Sequence, residues 1–316
     1  MKKIIYTLLL ILFFSCSSNI ETSKKVPKLN YIPYYLKVYE ADSLFLANNY
    51  KESFKKLDSL FKKFKRINVL EEQQLYIKSA YLSNQKIDYK KQFKFLIENN
   101  SFNKNYFGTN LISILDEYVT PKEYLKWKKK FNDKIIVGLD SLLIEMNIKD
   151  QKYRGEKYSS YAFQYKRDSI DEINEEKLIN IFNTYGFPNS TNHNKSFKTI
   201  VGGILLHTSD SIRMNYFAPK VLEFVKEGAC DPMEYATLID QYYLYNGEKQ
   251  IYNSYLNDPI KYDTIKTKLL RQEIGLPKSL SINHWINYKT FLMSLDANQI
   301  EKNKQMLKMF KKNIYK

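Results

Sequence analysis

Asp150 and Arg154 stand four residues apart, at the end of an apolar stripe formed by Ile135, Leu139, Leu142, Leu143 and Met146. If one helix carries them all, its inward face changes from leucine to an acid–base pair at ion-pair spacing. Charges entering a core must be well bonded, because desolvating them is costly. The pair reads either as a buried salt bridge or as the floor of a polar cleft. His207 poses the same choice. Ile200, Gly203, Ile204 and His207 share one helical face, so the imidazole is expected to point inward. Asp210 and Ser211 follow one turn on, and a histidine with an acid at that spacing is a general base with its orienter or a satisfied core histidine. A third polar group is Asp240-Gln241, then Asn246-Gly247-Glu248-Lys249-Gln250-Ile251-Tyr252 after a glycine stop. Such a run forms a turn or lines a pocket mouth.

Other chemistries find no footing. There is no strained serine elbow, no His-Glu-x-x-His, no paired-cysteine zinc motif and no phosphate-binding glycine loop. His193 lies in a polar loop and His284 precedes Trp285 without acidic neighbours. No metal or nucleotide cofactor is expected. Cys230, after Gly228-Ala229 and before Asp231-Pro232, reads as a small packed residue.

The elements that must hold these residues are helical. The chain has 316 residues, 44% of them hydrophobic, enough for a sizeable core. No glycine precedes Gly108. Val38, Ala41, Leu44 and Phe45 recur at three and four, and so do Phe54, Leu57, Leu60, Phe61 and Phe64 after Asn48-Asn49. A third helix is predicted over about 70–82 and a fourth from about Tyr89, through Phe93, Leu96 and Ile97. Ala47 to Phe54 resembles the middle of a tetratricopeptide repeat, and Asp88-Tyr89-Lys90 echoes Asn49-Tyr50-Lys51 at 39 residues rather than 34. Thr120-Pro121-Lys122-Glu123 is a capping box with proline at the first helical position. Further helices are expected at 175–185, 197–209, 216–227, 233–246, 283–294 and 297–312, with stops at Gly186 and Gly247. The predicted class is all-α: antiparallel, tetratricopeptide-like hairpins followed by a helical domain.

The amino terminus reads as an export signal. Met1-Lys2-Lys3 precedes an apolar run from Ile4 to Phe14, too short to span a bilayer. It ends in Phe13-Phe14-Ser15-Cys16-Ser17-Ser18, which resembles a bacterial lipobox, with Cys16 as the acylated residue. The expected organisation is a signal peptide over 1–15, a tether over 16–33, a hairpin region over 34–131, a helical domain over 132–290 and a C-terminal helix over 291–316. Several acyl chains on Cys16 would hold the protein firmly on a membrane, where one binds only marginally. By resemblance to sorted lipoproteins, Ser17 in place of an aspartate after the cysteine implies the outer membrane, facing the periplasm.

The net charge of +16 comes almost entirely from lysine, with five arginines (Arg66, Arg154, Arg167, Arg213 and Arg271). Readers of nucleic acids favour arginine, and no basic block interleaved with aromatics occurs, so no nucleic-acid partner is expected. The charge reflects codon usage or an attraction to anionic surfaces such as lipid headgroups or glycans.

Six short motifs occur in order: Asp150-Gln151-Lys152-Tyr153-Arg154, Tyr185-Gly186-Phe187-Pro188, His207, Leu238-Ile239-Asp240, Gly247-Glu248-Lys249-Gln250-Ile251-Tyr252 and Arg271-Gln272-Glu273-Ile274-Gly275-Leu276. This order resembles a bacterial family, domain of unknown function 6624, over about residues 139–280. The resemblance implies a mostly helical domain, often on exported proteins, with no established activity. Its matching polar positions are Asp150, Gln151, Arg154, His207, Asp240, Gln250 and Tyr252. Leu206 stands where the family commonly has glutamine, and Asn253-Ser254-Tyr255 replaces its Gly-Thr-Gln, which would alter a site built on that loop.

Two functions are therefore expected in turn. One is a membrane-tethered helical scaffold whose front half offers a surface to a peptide or protein. The other is an envelope hydrolase whose site gathers Asp150, Arg154, His207, Asp240 and Gln250, with His207 as general base and Arg154 holding an anionic group.

Overall fold

The computed structural model describes residues 29–64, 70–102, 104, 109–136, 138–154, 161–189, 198–255 and 264–278. Cys16, His193, His284 and the helices expected over 283–294, 297–312 and 291–316 lie outside them. The described residues are helical with no strands, so the fold is all-α.

The front half contains α1 (Ile32–Leu46), α2 (Tyr50–Lys63), α3 (Leu70–Leu82), α4 (Tyr89–Asn99), α5 (Thr109–Tyr118) and α6 (Pro121–Asn132). α1 starts inside the expected tether, because Pro33 suits the first turn of a helix, where no amide donor is needed. Asp88 caps α4 by accepting from the Lys91 amide at 2.9 Å. Thr120 and Glu123 form the predicted capping box of α6. α1 packs on α2 and α2 on α3, while α4 packs more heavily on α6 than on α3. α5 was not predicted: its stripe of Leu111, Ile114 and Leu115 is short.

The back half contains α7 (Leu139–Gln151), α8 (Tyr161–Tyr185), α9 (Lys198–Leu206), α10 (Asp210–Ile212), a π-turn at Arg213–Phe217 leading into α11 (Ala218–Glu227), α12 (Pro232–Tyr245) and α13 (Thr264–Glu273). Asp231 caps α12 through the Met233 amide at 2.8 Å. Gly186 and Gly247 end their helices with φ of 75° and 73°, a conformation glycine adopts without strain. α8 is far longer than the expected 175–185 helix. Its first half is mostly exposed and polar, so no apolar period announces it.

One contiguous apolar core runs from Tyr31 to Leu276. α1 ties its ends together. The Tyr31 amide donates to the Lys226 carbonyl at 2.9 Å, and the Tyr35 hydroxyl donates to the Cys230 carbonyl at 2.7 Å. Cys230 itself is buried, and its thiol donates to the Asp231 carbonyl at 3.5 Å.

Candidate functional site

Leu139, Leu143 and Met146 seat α7 in the core, and the same face ends in Asp150, whose side chain is 1% exposed. The helix stops at Gln151, so Arg154 lies beyond it rather than on its next turn. It still reaches back: Nη2 donates to Asp150 Oδ1 at 3.0 Å and Nε to Oδ2 at 3.3 Å. Nη2 also donates to Asp171 on α8. Tyr153 stacks on Phe163 at 5.7 Å, with Lys166 over both rings, which pins the turn after α7 to the start of α8.

His207 arrives from the other side. Val201, Ile204 and Leu205 bury α9, which ends at Leu206. His207 is thus the first residue past the helix, and its Nδ1 lies 2.9 Å from Asp150 Oδ1 and 3.1 Å from Oδ2. Two side chains fix the turn it occupies. Arg213, 3% exposed, donates through Nη2 to the carbonyls of Leu206 (2.9 Å) and Thr208 (2.6 Å), the neighbours of His207 on either side. Glu175 on α8 accepts from the Ser209 amide and hydroxyl, each at 2.9 Å.

The expected orienter of His207, Asp210, does not serve. It accepts from Arg213 at 3.0 Å and from Asn246 at 3.3 Å, and Asp150 takes its place. Asp171 joins the cluster unpredicted: one ligand-type atom each of Asp150, Asp171 and His207 lies within 4.8 Å of the others. Two carboxylates and an imidazole could hold a cation, but Arg154 already supplies one to both carboxylates.

The two carboxyls are driven apart. Burial pushes Asp150 up, but hydrogen bonds and charge from His207 and Arg154 outweigh it and hold Asp150 below the usual carboxylate range. Burial dominates at Asp171 and raises it to about 6, since Arg154 is shared and Asp150 and Asp168 repel. Asp150 therefore stays ionised while Asp171 carries its proton into mildly acidic conditions.

Asp240 and Gln250 do not join this cluster. Asp240 is fully buried and accepts from the amides of Ile251 (2.7 Å), Tyr252 (2.8 Å) and Ser254 (2.7 Å) and from the Ser254 hydroxyl (2.7 Å). Burial raises its carboxyl, and these bonds partly offset that. Gln250 exchanges two bonds of 2.9 Å with the Tyr255 backbone. Arg271 donates to the carbonyls of Tyr252 (2.6 Å) and Pro277 (2.7 Å). All three fold the 250–255 loop onto α12 and α13. Their side chains point at backbone, which distinguishes them from Asp150 and His207. The site drawn from sequence thus divides into a histidine cluster and a loop clamp.

The chain matches no protein-family model, no curated protein and no solved structure, so the motif resemblance brings no function to this geometry.

Proposed function

We propose that the chain is a lipid-anchored protein of the bacterial cell envelope whose back half carries a hydrolytic acid–base site, with His207 as general base. The observation that carries this reading is the 2.9 Å contact between His207 Nδ1 and a buried Asp150 carboxylate. An ionised Asp150 accepts a proton-bearing Nδ1, which leaves the lone pair on Nε2. The imidazole keeps 26% of its side-chain surface exposed, and Nε2 has no hydrogen bond among the described residues. A satisfied core histidine would use both nitrogens.

In this reading Nε2 takes a proton from water, the hydroxyl oxygen bonds to the electrophilic centre, and the bond to the leaving group breaks. The imidazolium, stabilised by Asp150, then protonates the leaving group. Arg154 orients Asp150 and Asp171. Its contacts with both carboxylates argue against the expected role of holding an anionic substrate. The anchor rests on the lipobox-like segment at Cys16.

The test is hydrolysis of a panel of p-nitrophenyl esters, phosphates and glycosides by wild type, His207→Ala and Asp150→Asn. Turnover by wild type alone supports the site; turnover unaffected by either substitution refutes it. Palmitate incorporation lost in Cys16→Ser supports the anchor, and labelling of neither protein refutes it.

One observation favours the scaffold reading instead: Asp240 and Gln250 are spent on holding a loop. Wild-type behaviour in cells carrying folded His207→Ala would support it.

A further inference from the structure

A groove of about 620 Å³ runs between α1 and α2. Pro33, Leu60 and Phe64 line it together with Lys37, Lys55, Lys56 and Lys63. Glu40 pairs with Lys37 at 2.9 Å and with Lys56 at 2.6 Å, and Glu52 pairs with Lys55 at 2.7 Å. Four lining lysines against the lining Glu52 and the neighbouring Glu40 leave the groove positive. Lys63 sits 5.7 Å over the Phe64 ring and makes no ion pair among the described residues.

The chain's own terminal segments do not suit this groove. Residues 279–316 carry seven lysines against two acids, and residues 16–28 carry three against one. A second copy, at a net charge of +16, is repelled as well. Charge complementarity favours an anionic occupant. Pro33 lies 17 residues from Cys16, so the groove opens close to where the anchoring segment joins the body. Lysines lining a groove together with apolar carbon are the composition that seats against acidic headgroups, with the ammonium groups at the phosphates and the methylene stems along apolar carbon.

We infer that the α1–α2 groove docks on an anionic phospholipid surface and holds the protein body against the membrane that the acyl chains anchor. This rests on the lipid-anchored reading above, but it is tested without the lipid. Mature protein (residues 16–316) carrying Cys16→Ser is mixed with phosphatidylcholine vesicles, with or without phosphatidylglycerol at ~30 mol%, which gives a substantial negative surface potential. A triple variant, Lys55→Gln, Lys56→Gln and Lys63→Gln, is compared with Lys122→Gln, Lys126→Gln and Lys129→Gln on α6, which removes the same charge elsewhere.

The expected result is binding that requires phosphatidylglycerol and weakens as salt rises. It should fall about tenfold or more in the groove triple and less than about threefold in the α6 triple. Equal losses in both triples, equal binding to neutral vesicles, or a groove triple that binds like its parent would overturn the inference. So would capture of poly-glutamate by the groove with no vesicle binding. Palmitate labelling of the wild type, read separately, shows whether a failure belongs to the groove or to the anchor.

Discussion

Nδ1 of His207 lies 2.9 Å from Oδ1 of Asp150, across 57 residues of chain. That contact joins the end of α9 to the end of α7. It depends on Arg154 and Gln151 from one side and on Arg213 and Glu175 from the other. Replacing Asp150 with asparagine keeps an acceptor and removes the charge. We expect a loss of about 1–3 kcal/mol at pH 7, because Arg154 keeps its positive charge with one carboxylate fewer. Asp150 has a lowered folded-state value, so its stabilisation is present above the unfolded value of 3.8 and disappears as pH falls through the folded one. Urea titrations at pH 7 and pH 3 should show a smaller wild-type advantage at the second than at the first.

Asp171 has the opposite sign. Its carboxyl is raised to about 6, so its favourable contribution is complete below the unfolded value and is lost as pH rises through about 6. Asp171→Asn should therefore gain on wild type between pH 4.5 and pH 7.5. Equilibrium denaturation at the two pH values checks this, and a gap that is constant or moves against the variant contradicts it.

Asp240→Ala should destabilise by about 3 kcal/mol or more, because three amides and a hydroxyl lose a buried acceptor. Hydrogen exchange should rise at Ile251, Tyr252 and Ser254 while the amides of α7 and α9 stay protected. Exchange rising equally at Asp150 and His207 would show that the loop clamp and the histidine cluster are one unit.

Tyr35→Phe removes the donor to the Cys230 carbonyl and leaves that carbonyl without this partner. A loss of about 1–2 kcal/mol is expected, with unfolding still a single transition because one core joins the two halves. Thermal denaturation followed by circular dichroism measures both.

Much of this was legible beforehand. The apolar periods point to α1, α2, α4 and α7, and the capping box at Thr120 marks the start of α6. Burial of Asp150 followed from its place on the leucine stripe. Asp171 was hidden because it sits in a charged, largely exposed helix half, where another aspartate is unremarkable. Arg213 did leave a signal. In a chain that uses lysine almost throughout, Arg154, Arg213 and Arg271 each donate to two or more oxygens, a task for a planar fork and not for an ammonium. Asp240 and Gln250 misled because a polar run after a helix stop has the same composition whether it folds a loop or lines a site. Only the direction of their bonds, toward backbone, separates the two.

The central claim is that His207 moves protons. The most direct measurement is the turnover ratio of wild type to a folded His207→Gln variant at pH 7.5, on any panel substrate that wild type hydrolyses. The account predicts a ratio of about a hundred or more. A ratio near one, with both proteins showing the same circular dichroism, would contradict it.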